Sequence, residues 1–208
     1  GYAPISYNNP EVEWFFGPSA VANHWEYQPG TAPAFRVLWD QVNDQRFLAY
    51  ALQVVGDDNT VYLKKPMSSS ELGQSIRSAE AFLNRMEAYA LSGEEGLALT
   101  ELNAFRKTRV IGYTDVNLSG QALLDEIRLE RRKELCFEGH RWFDLRRQGM
   151  PEIKHTYKAE KGGAVYEYVL QQGDPMYTLP FPNSVVLQNR ALVQNPSREM
   201  GARQGEIQ

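Results

Sequence analysis

Glu134, Glu138 and His140 lie close together in the chain and offer two carboxylates and an imidazole. Such a set could ligate a metal ion, or His140 could act as a general base. The spacing argues against both. The His-Glu-x-x-His pattern, which puts two imidazoles on one helix face, does not occur. Gly-x-Ser-x-Gly, a phosphate-binding P-loop and Gly-x-Gly-x-x-Gly are also missing from the sequence. The same stretch reads better as architecture. Arg141, Asp144, Arg146 and Arg147 can form a paired, hydrogen-bonded network, with Trp142 and Phe143 buried beside it. Cys136, the single cysteine, sits on an apolar helix face and reads as an inert core thiol. It excludes an internal disulfide framework and a cysteine-rich zinc site. No catalytic residue, metal or cofactor is expected.

A second group of residues has binding chemistry. Trp14, Trp25, Tyr27 and Trp39 occur with Asn23, His24 and Asn43 near the start of the chain. Sugars present C–H faces that stack on aromatic rings, and hydroxyls that amides and imidazoles can take up. Trp14, Trp25, Tyr27, His24, Asn23 and Asn43 are therefore candidate ligand contacts. The alternative is that the aromatics staple a long coil to the core, and Trp39 is the one most readily read that way.

These residues must be positioned by elements that the pattern of the chain suggests. Residues 1–35 are rich in Pro, Gly, Asn and aromatics and show neither helical nor strand period. Asp44 to Val55, a turn at Gly56 to Asn59, and Thr60 to Leu63 read as two strands, or as a helix end and a strand. Apolar residues at Ile76, Ala79, Leu83, Met86 and Tyr89 or Ala90 predict a helix from about Glu71 to Ser92, capped by Ser68, Ser69 or Ser70 and stopped by Gly93. A second helix over Glu95 to Lys107 takes Leu97, Leu99, Leu102 and Phe105 as core candidates. The short link makes the two an antiparallel hairpin of tetratricopeptide type, with Ala79, Ala81, Ala88, Ala90 and Ala98 allowing close approach. A third helix starts at Ser119, with Leu123, Leu124, Ile127, Leu135 and Phe137 as apolar surface. Its glutamates Glu126, Glu130 and Glu134 recur every four residues, and Arg131 and Lys133 can pair with neighbours on the same helix. After Pro151 a strand over Val165 to Leu170, a turn at Gly173 to Pro175 and an extended Tyr177 to Pro182 suggest a hairpin. Asn183 to Gln208 reads as polar coil with a fraying end.

The chain has 208 residues, 42% hydrophobic and 23% charged, an ordinary globular composition for one domain. The divisions are an irregular segment over 1–35, a helical core over 68–150 and a hairpin with coil over 151–208. The net charge of −4 excludes the basic face of a nucleic-acid binder. No apolar run is long enough to span a membrane. Gly1-Tyr2-Ala3-Pro4 resembles no signal peptide, and the expectation is a C-terminal piece of a longer chain.

Ile127 to Arg147 follows the pattern I-x-x-E-R-x-x-E-L-x-F-E-G-x-R-W-x-D-L-x-R, and this resembles the signature of SusD/RagB-family outer-membrane lipoproteins of Bacteroidetes-type bacteria. Other pieces occur in the family's order. Asp44-Gln45-Arg46 resembles its D-x-R, and Arg77-Ser78-Ala79-Glu80 opens a stretch that resembles its R-x-A-E-x-x-L-x-x-A-E-A helix. Ala98 to Arg109 resembles the helix that follows. Leu179-Pro180-Phe181-Pro182 and Gln194-Asn195-Pro196 resemble the closing L-P-I-P and Q-N-P. Met86 departs from the family's small residue. The resemblance implies a mainly α, SusD-like fold with a helical hairpin, a long helix, irregular loops and a small β-hairpin. It implies that Glu130, Arg131, Glu134, Glu138, Gly139, Arg141, Trp142, Asp144 and Arg147 are structural. It further implies a non-catalytic surface protein, lacking its anchor here, that binds glycans or other nutrients for a TonB-dependent SusC-like transporter. A helical-repeat module that binds only protein is the alternative.

Overall fold

The computed structural model describes residues 10–16, 33–50, 74–136, 138–159, 162–199 and 204–208. The chain divides into two compact units, Gly1–His140 and Arg141–Gln208.

In the first unit, strand β1 (Val12–Phe16) pairs antiparallel with β2 (Gln74–Arg77). Short helices α1 (Pro33–Arg36) and α2 (Gln45–Tyr50) lie between them in sequence. β2 runs directly into α3 (Ser78–Leu91), followed by α4 (Glu95–Lys107) and α5 (Gly120–Glu134). Two expectations change here. Part of the irregular N-terminal segment is a strand. The first long helix begins at Ser78, because the strand pairing claims Gln74 to Arg77, and Ile76 is exposed on that strand. The proposed serine caps, the Gly56 turn, Thr60 to Leu63 and Phe137 lie outside the described residues.

Gly93 ends α3 as anticipated. Its φ of +86° is left-handed, and Glu94 N–H donates to Tyr89 O at 2.9 Å, the six-to-one bond of a Schellman motif. The tight link folds α4 back on α3, and α5 completes a three-helix core. Ala79, Leu83 and Met86 meet Ala98, Leu102 and Phe105, with Leu123, Ile127 and Leu135 beneath. Leu83, Met86, Leu102, Leu123 and Ile127 are fully buried. Each contributes roughly 1.5–3 kcal/mol relative to exposure. Leu97 is half exposed, and Ala98 takes the inward position one residue on. Ala79 and Ala98 make the close approach, whereas Ala81 and Ala88 face out. Ser119 stands at the start of α5 without a side-chain cap; Glu95 Oε2 accepts the Gly120 N–H instead. A second cluster joins Phe35, Trp39 and Phe47, with Phe35 edge-on to Trp39.

In the second unit, α6 (His140–Arg147) is followed by β3 (Ile153–Lys158), β4 (Val165–Leu170), a 3₁₀ turn at Pro175–Tyr177, α7 (Asn183–Gln188) and β5 (Glu206–Ile207). A β-hairpin exists, but its partner strand is upstream. β4 pairs with β3 in the order β3-β4-β5, and Tyr177 to Pro182 forms no strand. Gly162, at φ +79°, lies in the connecting turn. The chain end is held by β4 rather than frayed. Gln194 clamps Phe181, accepting its N–H at 2.8 Å and donating to its carbonyl at 3.0 Å, and Asn195 donates to Leu179 O. The L-P-F-P and Q-N-P pieces thus hold each other.

Candidate functional site

A 3.6-residue helix places Glu126, Glu130 and Glu134 of α5 along one face. The sequence reading pairs them with cations of the same helix. The structure pairs them with arginines from elsewhere, because this face points into the first unit. Glu130 and Glu134 are buried. Arg46 of α2 places one nitrogen 2.7 Å from Glu130 and another 3.0 Å from Glu134, while its Nε donates to Asp44 at 3.0 Å. Arg106 of α4 bridges Glu130 at 2.7 Å and Glu126 at 2.6 Å. Arg109 donates to Glu134 at 3.1 Å and to Glu11 at 3.1 Å. Arg77, at the end of β2, donates to Glu134 at 3.2 Å and to both oxygens of Glu138, at 2.9 and 2.6 Å. Glu134 therefore receives three guanidinium groups.

Burial by itself would push the Glu130 carboxyl up. The charges of Arg46 and Arg106 outweigh it and hold the group below the ordinary carboxylate value. Arg46, whose burial opposes its charge, is held well above the usual value by Glu130, Asp44 and Glu134. Burial lowers Lys133. These ionised groups face one another across α2, β2, α4 and α5, so they suit the holding of strands and helices together rather than proton transfer.

The remaining signature residues are placed as follows. Arg131 donates to Asn84 at 2.8 Å. Gly139 adopts φ +84° between α5 and α6. His140 Nδ1 lies 3.6 Å from Glu80. Asp144 is buried and accepts from Arg147 at 3.0 Å. Trp142 is half-buried and stacks on Tyr177 at 4.9 Å. Arg141 is exposed, and Arg146 donates to Thr178. Phe143 is 65% exposed, contrary to expectation. α6 has only eight residues, and its inward stripe is taken by Asp144 and Leu145. Arg46, Arg77, Arg106 and Arg109 were not singled out from sequence. Arg46 and Arg77 sit in separate motif pieces and Arg106 and Arg109 share a third, and membership of those pieces was the available signal.

Of the ligand candidates, Trp25, Tyr27, His24 and Asn23 lie outside the described residues, and of Trp14 only the β1 backbone is described. Asn43 is half-buried; its side-chain amide donates to Asp40 at 2.9 Å and its backbone carbonyl accepts from Ile111 N–H. Asn43 N–H and Val42 N–H join that amide in holding the Asp40 carboxyl below its usual value. Trp39 is buried core.

A groove of about 430 Å³ runs along the α3–α4 hairpin. Ala79, Phe82, Ala104 and Phe105 line it together with Glu11, Glu101 and Arg109. Arg85 lies over Phe82 at 4.9 Å and pairs with Glu101 at 2.8 Å, while Arg109 lies over Phe105 at 4.7 Å. Among the described residues no cluster suited to a metal ion occurs, and no helix is long and apolar enough to cross a membrane.

The fold is similar to solved structures. A SusD-like carbohydrate binding protein from Bacteroides vulgatus aligns with a TM-score of 0.65 at 20% identity, over 90% of this chain and 49% of that one. A SusD superfamily protein from Bacteroides fragilis aligns with a TM-score of 0.55 at 27% identity, over 76% of this chain and 35% of that one. This chain spans at most about half the length of these relatives. No curated protein matches the chain. The model of the SusD family matches residues 57–197, which include the arginines and glutamates from Arg77 to Glu138 that lock the helices together. With the signature from Ile127 to Arg147 inside that match, and with its glutamates built into the core of a SusD-like fold, the chain belongs to the SusD family.

Proposed function

We propose that this protein binds glycans at the cell surface without catalysis, for delivery to a TonB-dependent outer-membrane transporter. The observation that carries the reading is the SusD-family match over residues 57–197. The solved relative described as a carbohydrate binding protein supports the ligand class. The lack of catalysis is supported by the signature carboxylates. Glu130 is held below the ordinary carboxylate value between Arg46 and Arg106, the opposite of the raised-pKa acid that glycoside hydrolysis needs, and Glu134 and Glu138 are engaged by arginines. On this reading the protein sits on the outer membrane as a lipoprotein. The aromatic and amide residues Trp14, Trp25, Tyr27, His24, Asn23 and Asn43 stay proposed contacts.

Calorimetric titration against a glycan panel tests the reading. The expected result is saturable heat with intact oligosaccharide recovered on chromatography. Release of shorter products would overturn the non-catalytic assignment. Absence of heat with every glycan would overturn the ligand class. Copurification of a TonB-dependent transporter with the tagged protein from its own membranes tests delivery.

A further inference from the structure

Two cations lie against the ring of Trp39. The Arg46 guanidinium carbon is 5.4 Å from the ring centroid, and the Lys133 ammonium nitrogen is 5.9 Å from it. The two are provided for unequally. Arg46 reaches Asp44, Glu130 and Glu134, at 2.8, 2.7 and 3.0 Å. Arg106 takes the other oxygen of Glu130, at 2.7 Å. Lys133 is half-buried on α5 and forms no ion pair or hydrogen bond among the described residues. The charge of Asp40 also reaches it, but that carboxylate is taken by the Asn43 side chain and by the Val42 and Asn43 N–H groups.

A guanidinium keeps its proton at any ordinary pH, whereas an ammonium can give one up. Of the two cations on Trp39, Lys133 is therefore the one that can relieve the crowding of positive charge. Burial lowers its pKa, helped by the charges of Arg106 and Arg46 and opposed by those of Glu130 and Asp44. Desolvation and a neighbouring cation are the two influences that turn a lysine into a nucleophile.

We infer that Lys133 is a site of covalent capture for small aldehydes. The lone pair of the free amine adds to the carbonyl carbon. Both amine hydrogens then leave with the carbonyl oxygen as water, and a C=N bond stands where the C=O bond was. The step needs neither oxidant nor reductant. The arginines that hold the nearby carboxylates leave the amine free for it, and the half-buried position favours a small partner. The site is separate from glycan binding and does not depend on that reading.

The test incubates the whole chain with glycolaldehyde and sodium cyanoborohydride at about pH 7, where ordinary lysines are almost wholly protonated. Hydride from the reagent adds to the imine carbon and fixes it as a secondary amine, which mass spectrometry maps. Lys107 and Lys154 are the comparison, since both are more than half exposed and each lies beside a carboxylate. Lys133 should react about three- to tenfold faster than either. Its lead should shrink as the pH rises toward about 10.5, where ordinary amines are freed too. In urea, with the chain unfolded, the three should react alike. Lys133→Met should lose the fast reaction and leave the rates at Lys107 and Lys154 unchanged. A rate at Lys133 no higher than at Lys107 and Lys154 in the folded chain overturns the inference. A lead that survives unfolding also overturns it, because the cause would then be the local sequence and not the cluster around Trp39.

Discussion

Arg46 and Glu134 are 88 positions apart in the chain, yet the Arg46 Nη1 lies 3.0 Å from the Glu134 carboxylate, and both side chains are almost completely buried. The same guanidinium also reaches Glu130 and Asp44. The short helix α2 is thereby fastened to α5, the longest helix among the described residues. Removing one member of such a set leaves carboxylates buried with less positive charge around them. Arg46→Ala should therefore cost about 3–5 kcal/mol. Arg46→Lys should recover part of that, because a single ammonium cannot reproduce the planar fork. Urea denaturation of the three proteins measures both differences.

Acid should act on the same set. Glu130 has its pKa lowered from 4.5 in the folded protein. The unfolded chain then binds the proton more readily, so stability is full above about pH 4.5 and is lost as pH falls through the lower folded value. Glu130→Gln removes that proton linkage. Its stability, lower at neutral pH, should fall less steeply than wild type between about pH 5 and 3. Denaturation midpoints across this range check the slope, and parallel curves would contradict it.

Gly93 carries a conformational role. With φ +86° and open space where a Cβ would stand, Gly93→Ala should lose about 1–2 kcal/mol from backbone strain and nothing from a clash. Gly96, inside α4 and equally uncrowded, lacks the positive φ. Gly96→Ala should stabilise by roughly 0.5–1 kcal/mol. Thermal melts of the pair should move in opposite directions.

The core of the hairpin makes a similar contrast. Leu102 is fully buried between α3 and α5, and Leu97 is half exposed. Leu102→Ala should cost about 2–5 kcal/mol, while Leu97→Ala should stay within about 0.5 kcal/mol. Chemical denaturation separates these outcomes.

Local signals carried far in this protein. The bounds of α4, the Gly93 stop, the start of the third helix and the Val165 to Leu170 strand follow from period and glycines, which act over a few residues. The signature from Ile127 to Arg147 identified the family. Partner choice was not legible. Spacing along α5 put Glu130 and Glu134 on one face, but the burial of that face, and its four arginines from α2, β2, α4 and the turn after α4, depend on contacts between distant segments. Gln74 to Arg77 leaves a helical pattern because β1 offers hydrogen bonds that local propensity does not know about. β4 takes Ile153–Lys158 as its partner because a strand's partner is chosen by register and turn, not by its own alternation. The sequence by itself determined where α4 and α5 lie, and which residues mark the family. Only the tertiary structure decided which charges are buried, since burial is a property of what packs against a residue and not of the residue.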